Sequence, residues 1–138
     1  MKKLPKTKDT LALRVDFSDD AAWKSLCIAI KDPVGEFRAY VAFVSDPAFR
    51  DMSVQQLLAL NTQSEFRIFM FVVDHKALSN PEHPVLVLDL ATEPGRTLRV
   101  IPSEMWGVEN NLSIANMDFA DFADAADSDG VFRGFPQS

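Results

Sequence analysis

Three aspartates, Asp16, Asp46 and Asp74, stand at the ends of strand-forming runs, TLALRV, FRAYVAFV and FRIFMFVV. If those runs are parallel strands, the carboxylates line one edge of a sheet, where ligands bind in open α/β folds. With His75 they could hold a divalent cation such as Mg²⁺, which takes a few oxygen ligands plus water. A plainer reading has each acid end a strand or cap the next helix. It is preferred because no glycine-rich phosphate loop accompanies the acids.

The pairs Asp74-His75 and Glu82-His83 repeat within ten residues and could ligate zinc or an iron-type metal. Their spacing matches no standard ligand motif, so they read as surface-loop histidines. Asp127-Ser128-Asp129-Gly130 echoes part of a calcium loop, but Ala125 and Pro136 stand where the first and last ligands belong. No G-x-S-x-G turn points to nucleophilic catalysis. Cys27 shares the helical stripe Trp23, Leu26, Cys27, Ile30 and so belongs to the core. No cofactor is expected.

A second constellation surrounds Trp106: Glu104, Glu109, Asn110, Asn111 and Asn116. Tryptophan offers a large apolar area and one donor, which suits a binding hot spot or, the reading placed first, a lid on the core. From Ser103 onward the chain has seven acids, Glu104, Glu109, Asp118, Asp121, Asp124, Asp127 and Asp129, against Arg133 alone. That segment therefore carries −6, the charge of the entire chain. Nucleic acid is excluded as a partner, because binding it needs a basic footprint to displace counterions from phosphates. A basic protein partner fits the charge, although an acidic helix is also an ordinary solvated face.

The elements that must position these residues follow from periodicity. Strands are predicted over 10–16, 37–44, 66–73, 85–90 and 97–101. Ser18, Asp19 and Asp20 open a helix that reaches about Lys31, and Asp32-Pro33 closes it. Ser53 and Gln56 form a capping box, with Met52 and Leu57 at the staple positions, for a helix over 53–60. HKALSNPEHP reads as a polar connection.

Glu93-Pro94-Gly95-Arg96 has the form of a type II turn. A plain two-residue turn there would set Asp89 opposite Val100 and Leu90 opposite Arg99, mixing apolar and charged side chains. A bulge or longer loop that shifts the register by one is expected instead. Asn110-Asn111 reads as a turn, 112–115 as a short strand, and Asp118 as the cap of a last helix. Phe119, Phe122, Ala123 and Ala126 form the apolar stripe of that helix, leaving Asp121 and Asp124 wet, while Met117 and Phe122 take the staple positions. Val131, Phe132 and Phe135 would be costly to leave in water, so the tail should dock.

The expected architecture is α/β: a single domain with a mixed sheet of about five to six strands and two to three main helices, in the order βαβαβ, β-hairpin, terminal helix. Residues 1–9 form a basic lead and residues 10–138 the domain. At 47% hydrophobic and 25% charged residues, the chain is not wholly disordered. One cysteine permits no internal disulfide. No run approaches the roughly 18 apolar residues of a membrane span. A cytoplasmic protein of undetermined oligomeric state is expected.

Four segments, TLALRVDFSDDAAW, FRAYVAFVSDPAF, PEHPVLVLDLATEPGRTLRVIPSEMW and VENNLSIANMDFADFADAADSDGVFRGF, resemble an uncharacterised family of small bacterial, mainly actinobacterial, proteins known as a domain of unknown function. The resemblance runs from about Leu4 to Phe135 and implies no activity. The ending NMDFADFA is also similar to the close of immunity-type proteins of the Smi1/Knr4 class. Two functional readings follow. One is a non-enzymatic module that binds a basic partner through Glu104, Trp106, Glu109, Asn110, Asn111, Asp121 and Asp124. The other is a small-molecule or metal site at Asp16, Asp46, Asp74 and His75.

Overall fold

Alternation governs the sheet. In the computed structural model, which describes residues 3–61 and 67–136, β1 (Thr10–Arg14) points Leu11 and Leu13 to one face and Ala12 to the other. β3 (Phe69–Val73) is buried throughout, with Phe69, Phe71 and Val73 on one side and Met70 and Val72 on the opposite side. A strand apolar on both faces must be covered on both. Helices α1 (Asp20–Lys31), α3 (His75–Ser79), α4 (Met105–Ser113) and α5 (Phe119–Ala125) cover the first face. α2 (Val54–Leu60), Phe49 and Leu4 cover the second.

The mixed sheet has six strands in the order β2-β1-β3-β4-β5-β6, completed by β2 (Val41–Val44), β4 (Val85–Asp89), β5 (Thr97–Val100) and β6 (Val131–Phe132). β1 runs parallel to β2 and β3, β4 is antiparallel to β3 and β5, and β6 runs parallel to β5. The chain winds outward from β1 to β2 through α1, then crosses back through α2 to β3 on the other side of β1. Winding therefore reverses between β1 and β3. The carboxyl ends of these two strands form the crevice where open α/β sheets take ligands.

Caps set the helix starts. Asp19 accepts from the Ala22 amide at 2.9 Å, and Ser53 and Gln56 close the expected capping box. Asp118 is the N-cap of α5, and its own amide donates to Asp121 Oδ2 at 2.8 Å. Trp23, Leu26 and Ile30 form the buried stripe of α1, with Cys27 half-buried beside them.

Four expectations need correction. β2 begins at Val41, not Phe37, because Val34 and Phe37 exchange two backbone hydrogen bonds in a tight loop whose Gly35 has φ 62°. HKALSNPEHP contains α3, capped by Asp74 and anchored by buried Ala77 and Leu78. Residues 105–113 form α4, where a turn and a strand were expected: Met105, Val108 and Leu112 share one buried stripe, while Ile114 of the supposed strand is exposed. Gly107 and the two asparagines are poor helix formers that masked this period. Phe66, the expected start of the third strand, lies outside the described residues.

The hairpin correction is the fourth. Its loop is longer than two residues, as expected, but Val100 faces Val85 instead of Asp89, a shift of four residues and not one. An even shift leaves the faces unchanged, so Leu86 does lie opposite Arg99. The cause is Asp89, which is 3% exposed and accepts from the amides of Ala91, Thr92 and Glu93 at 3.0, 3.2 and 2.9 Å. The Glu93–Arg96 turn still forms beyond this carboxylate, with Gly95 at φ 100°.

Candidate functional sites

At the crevice between β1 and β3, His75 Nδ1 lies 3.1 Å from Asp16 Oδ2. Asp16 Oδ1 accepts from the Ser18 amide at 2.8 Å and from the Ser18 hydroxyl. Burial pushes the Asp16 carboxyl up, but the Ser18 bonds and His75 outweigh it and hold the group below the ordinary aspartate value. A cavity of about 330 Å³ adjoins it, lined by Asp16, Phe17, Ser18, Arg50 and Asp51.

The other two strand-end acids serve the fold. Asp46 accepts from the Ala48 amide at 2.9 Å and caps the 3-10 turn Pro47–Phe49. Asp74 caps α3 and forms a bidentate pair with Arg99 at 3.0 and 2.7 Å. Among the described residues, no group of three or more His, Cys, Asp or Glu side chains is placed to hold a metal ion. The second His–acid pair is also dispersed: His83 Nδ1 lies 2.8 Å from the Ala77 carbonyl, and Glu82 pairs with Arg133. Arg133 also binds Asp127 and Asp129, the acids that resembled a calcium loop.

Sequence reasoning missed Arg14. Its side chain is 4% exposed and donates to the Asp16 carbonyl, Ser45 Oγ and Asp20 Oδ1 at 2.8, 3.3 and 2.8 Å. The guanidinium lies over the rings of Phe17 and Trp23. It ties the ends of β1 and β2 to the start of α1. An arginine inside an otherwise apolar strand was the available signal.

The second site lies among α4, α5 and β6. Glu104, Trp106, Gly107, Asn111, Phe122, Phe132, Gly134 and Phe135 line a pocket of about 270 Å³. Trp106 is half-buried and stacks on Phe37 with centroids 4.5 Å apart. It lines the cavity while packing on an exposed ring outside the buried core. Phe122, Phe132 and Phe135 form a ring cluster with centroid separations of 5.2, 5.5 and 4.9 Å. Gly134 and the three phenylalanines were not assigned to a site from sequence, although docking of the tail was expected.

The structure divides the other residues of the acidic set. Glu109 is 4% exposed and accepts from the Tyr40 amide at 2.8 Å, from Thr10 Oγ1 at 3.3 Å and from Ser113 Oγ. Asn110 Nδ2 donates to the Arg38 carbonyl and to Glu109. Glu109 therefore belongs to the framework of the face, while Asn110 is partly exposed beside it. Asp121 and Asp124 are exposed, the first holding the Asp118 amide and the second 3.8 Å from Arg96. Cys27 is no activated thiol, since burial pushes its pKa up.

A small α/β domain is thereby defined, wound in both directions about β1, extended by an antiparallel hairpin and closed by a parallel tail strand. The chain belongs to the family described as domain of unknown function DUF6924, which matches residues 9–135. No curated protein was found to match it. Among the described residues, no helix is long and apolar enough to cross a membrane.

Proposed function

We propose that the domain is a non-enzymatic protein-interaction module that holds a basic partner on the face built by α4, α5 and β6. The observation that carries this reading is the pocket over residues 104–135, aromatic-walled and set within the segment that carries −6. Aromatic anchors in a partly enclosed pocket, rimmed by exposed charge, are the usual anatomy of an interaction surface. The exposed acids Asp121 and Asp124 lie on the solvent side of α5 and add long-range negative potential around the face. Binding of a fluorescent decalysine peptide tests the reading. Affinity should fall steeply with salt and drop in the Asp121→Lys, Asp124→Lys double variant. Binding that responds to neither contradicts it.

The contact between Asp16 and His75 favours a second reading, a small-molecule or divalent-metal site in the crevice between β1 and β3. A thermal-shift screen with divalent metals and nucleotides addresses it, since a ligand of the native state raises the melting temperature. A shift lost in His75→Ala supports this site. No shift with any of them counts against it.

A further inference from the structure

We propose that the pocket over residues 104–135 receives the ammonium end of a lysine side chain of the partner. Glu104 is the counter-charge, and Trp106, Phe122, Phe132 and Phe135 form the walls. The inference rests on the reading of this face as an interaction surface and names what enters it.

The inventory of polar groups points to a cation. Asn111 is held in place, its Nδ2 donating to the Gly107 carbonyl at 2.7 Å and its Oδ1 accepting from Asn116 at 2.8 Å. The Glu104 carboxylate has no ion-pair or hydrogen-bond partner among the described residues. One unpaired negative charge beside the accessible rings of Trp106 and Phe135 attracts an organic cation by charge and by the ring quadrupoles. Gly134 makes the room: a Cβ there would stand 2.7 Å from Glu104 Oε1.

Size and donor count narrow the choice. At about 270 Å³ the cavity falls below the roughly 300–1,000 Å³ of pockets for drug-sized ligands, and so suits a single side chain. A guanidinium would bring five N–H donors to one free carboxylate, and buried donors left unpaired are costly. An ammonium brings three. The Trp106 Nε1–H is buried and has no acceptor among the described residues.

The test titrates the full chain with N-acetyl-lysine N-methylamide and with its norleucine and arginine counterparts, reading the Trp106 indole N–H by NMR. Trp106→Phe separates that signal from the one due to Trp23. The inference predicts a saturable shift with the lysine compound and binding about tenfold weaker with norleucine. Glu104→Gln, with its melting temperature unchanged, should weaken lysine about tenfold and leave norleucine unaltered. Equal binding of lysine and norleucine, indifference to Glu104→Gln, or tighter binding of the arginine compound overturns it. A decalysine complex that is sensitive to Asp121 and Asp124 while Trp106 stays silent ends the pocket assignment and leaves the interaction reading standing. If decalysine does not bind either, both fall.

Discussion

The Glu104 carboxylate fills the space that a side chain at position 134 would need: a Cβ on Gly134 would stand 2.7 Å from Glu104 Oε1, at φ 108°. Gly134→Ala should therefore cost about 1–3 kcal/mol in backbone strain and displace the carboxylate. Chemical denaturation reads the first effect. Titration with the lysine compound reads the second, where a loss of about tenfold is expected.

Asp74 and Arg99 join the end of β3 to β5 through a partly buried bidentate pair, and Asp74 also caps α3. Asp74→Ala removes the cap and leaves the guanidinium without its counter-charge. A loss of about 2–4 kcal/mol is expected. Arg99→Ala, which leaves the cap intact, should cost less; urea unfolding of both variants checks the order.

Glu109 links β1, the approach to β2 and α4 by accepting from Thr10, Tyr40 and Ser113. Glu109→Ala leaves the Tyr40 amide without its acceptor inside the fold and should cost about 2–3 kcal/mol. Glu109→Gln keeps an acceptor oxygen there and should cost less. Equal losses would show that volume, not hydrogen bonding, is what this residue supplies.

The Asp16 carboxyl titrates below its ordinary value in the native state, so its stabilising effect is present when the unfolded-state carboxyl is ionised. The stability gap between wild type and Asp16→Asn should be about 1–2 kcal/mol near pH 5. It should shrink as pH falls below about 3.9 and through the lower folded-state value. A gap that widens toward acid pH would contradict the sign.

The strands β1, β3, β4 and β5 were legible because alternation and buried runs report directly on strand faces, although not on which strands pair or in which direction. Caps at Asp19 and Ser53 were equally plain, since each depends on residues three apart in sequence. Three features were not. Gly107 and Asn110-Asn111 hid α4, whose stability comes from the buried stripe of Met105, Val108 and Leu112 and not from propensity. Asp89 set the hairpin loop through a buried carboxylate that no turn rule anticipates. At the candidate sites, Glu104, Trp106 and Asn111 stood out from their types, but Phe132, Gly134 and Phe135 joined them only when β6 paired with β5.

The most direct measurement of the central proposal is a decalysine titration followed across the entire chain by backbone-amide NMR. The interaction reading predicts shifts concentrated on residues 104–135 and suppressed by salt, and the lysine-pocket inference adds the Trp106 indole among the largest. Shifts centred on Asp16 and His75, or none anywhere, would contradict it.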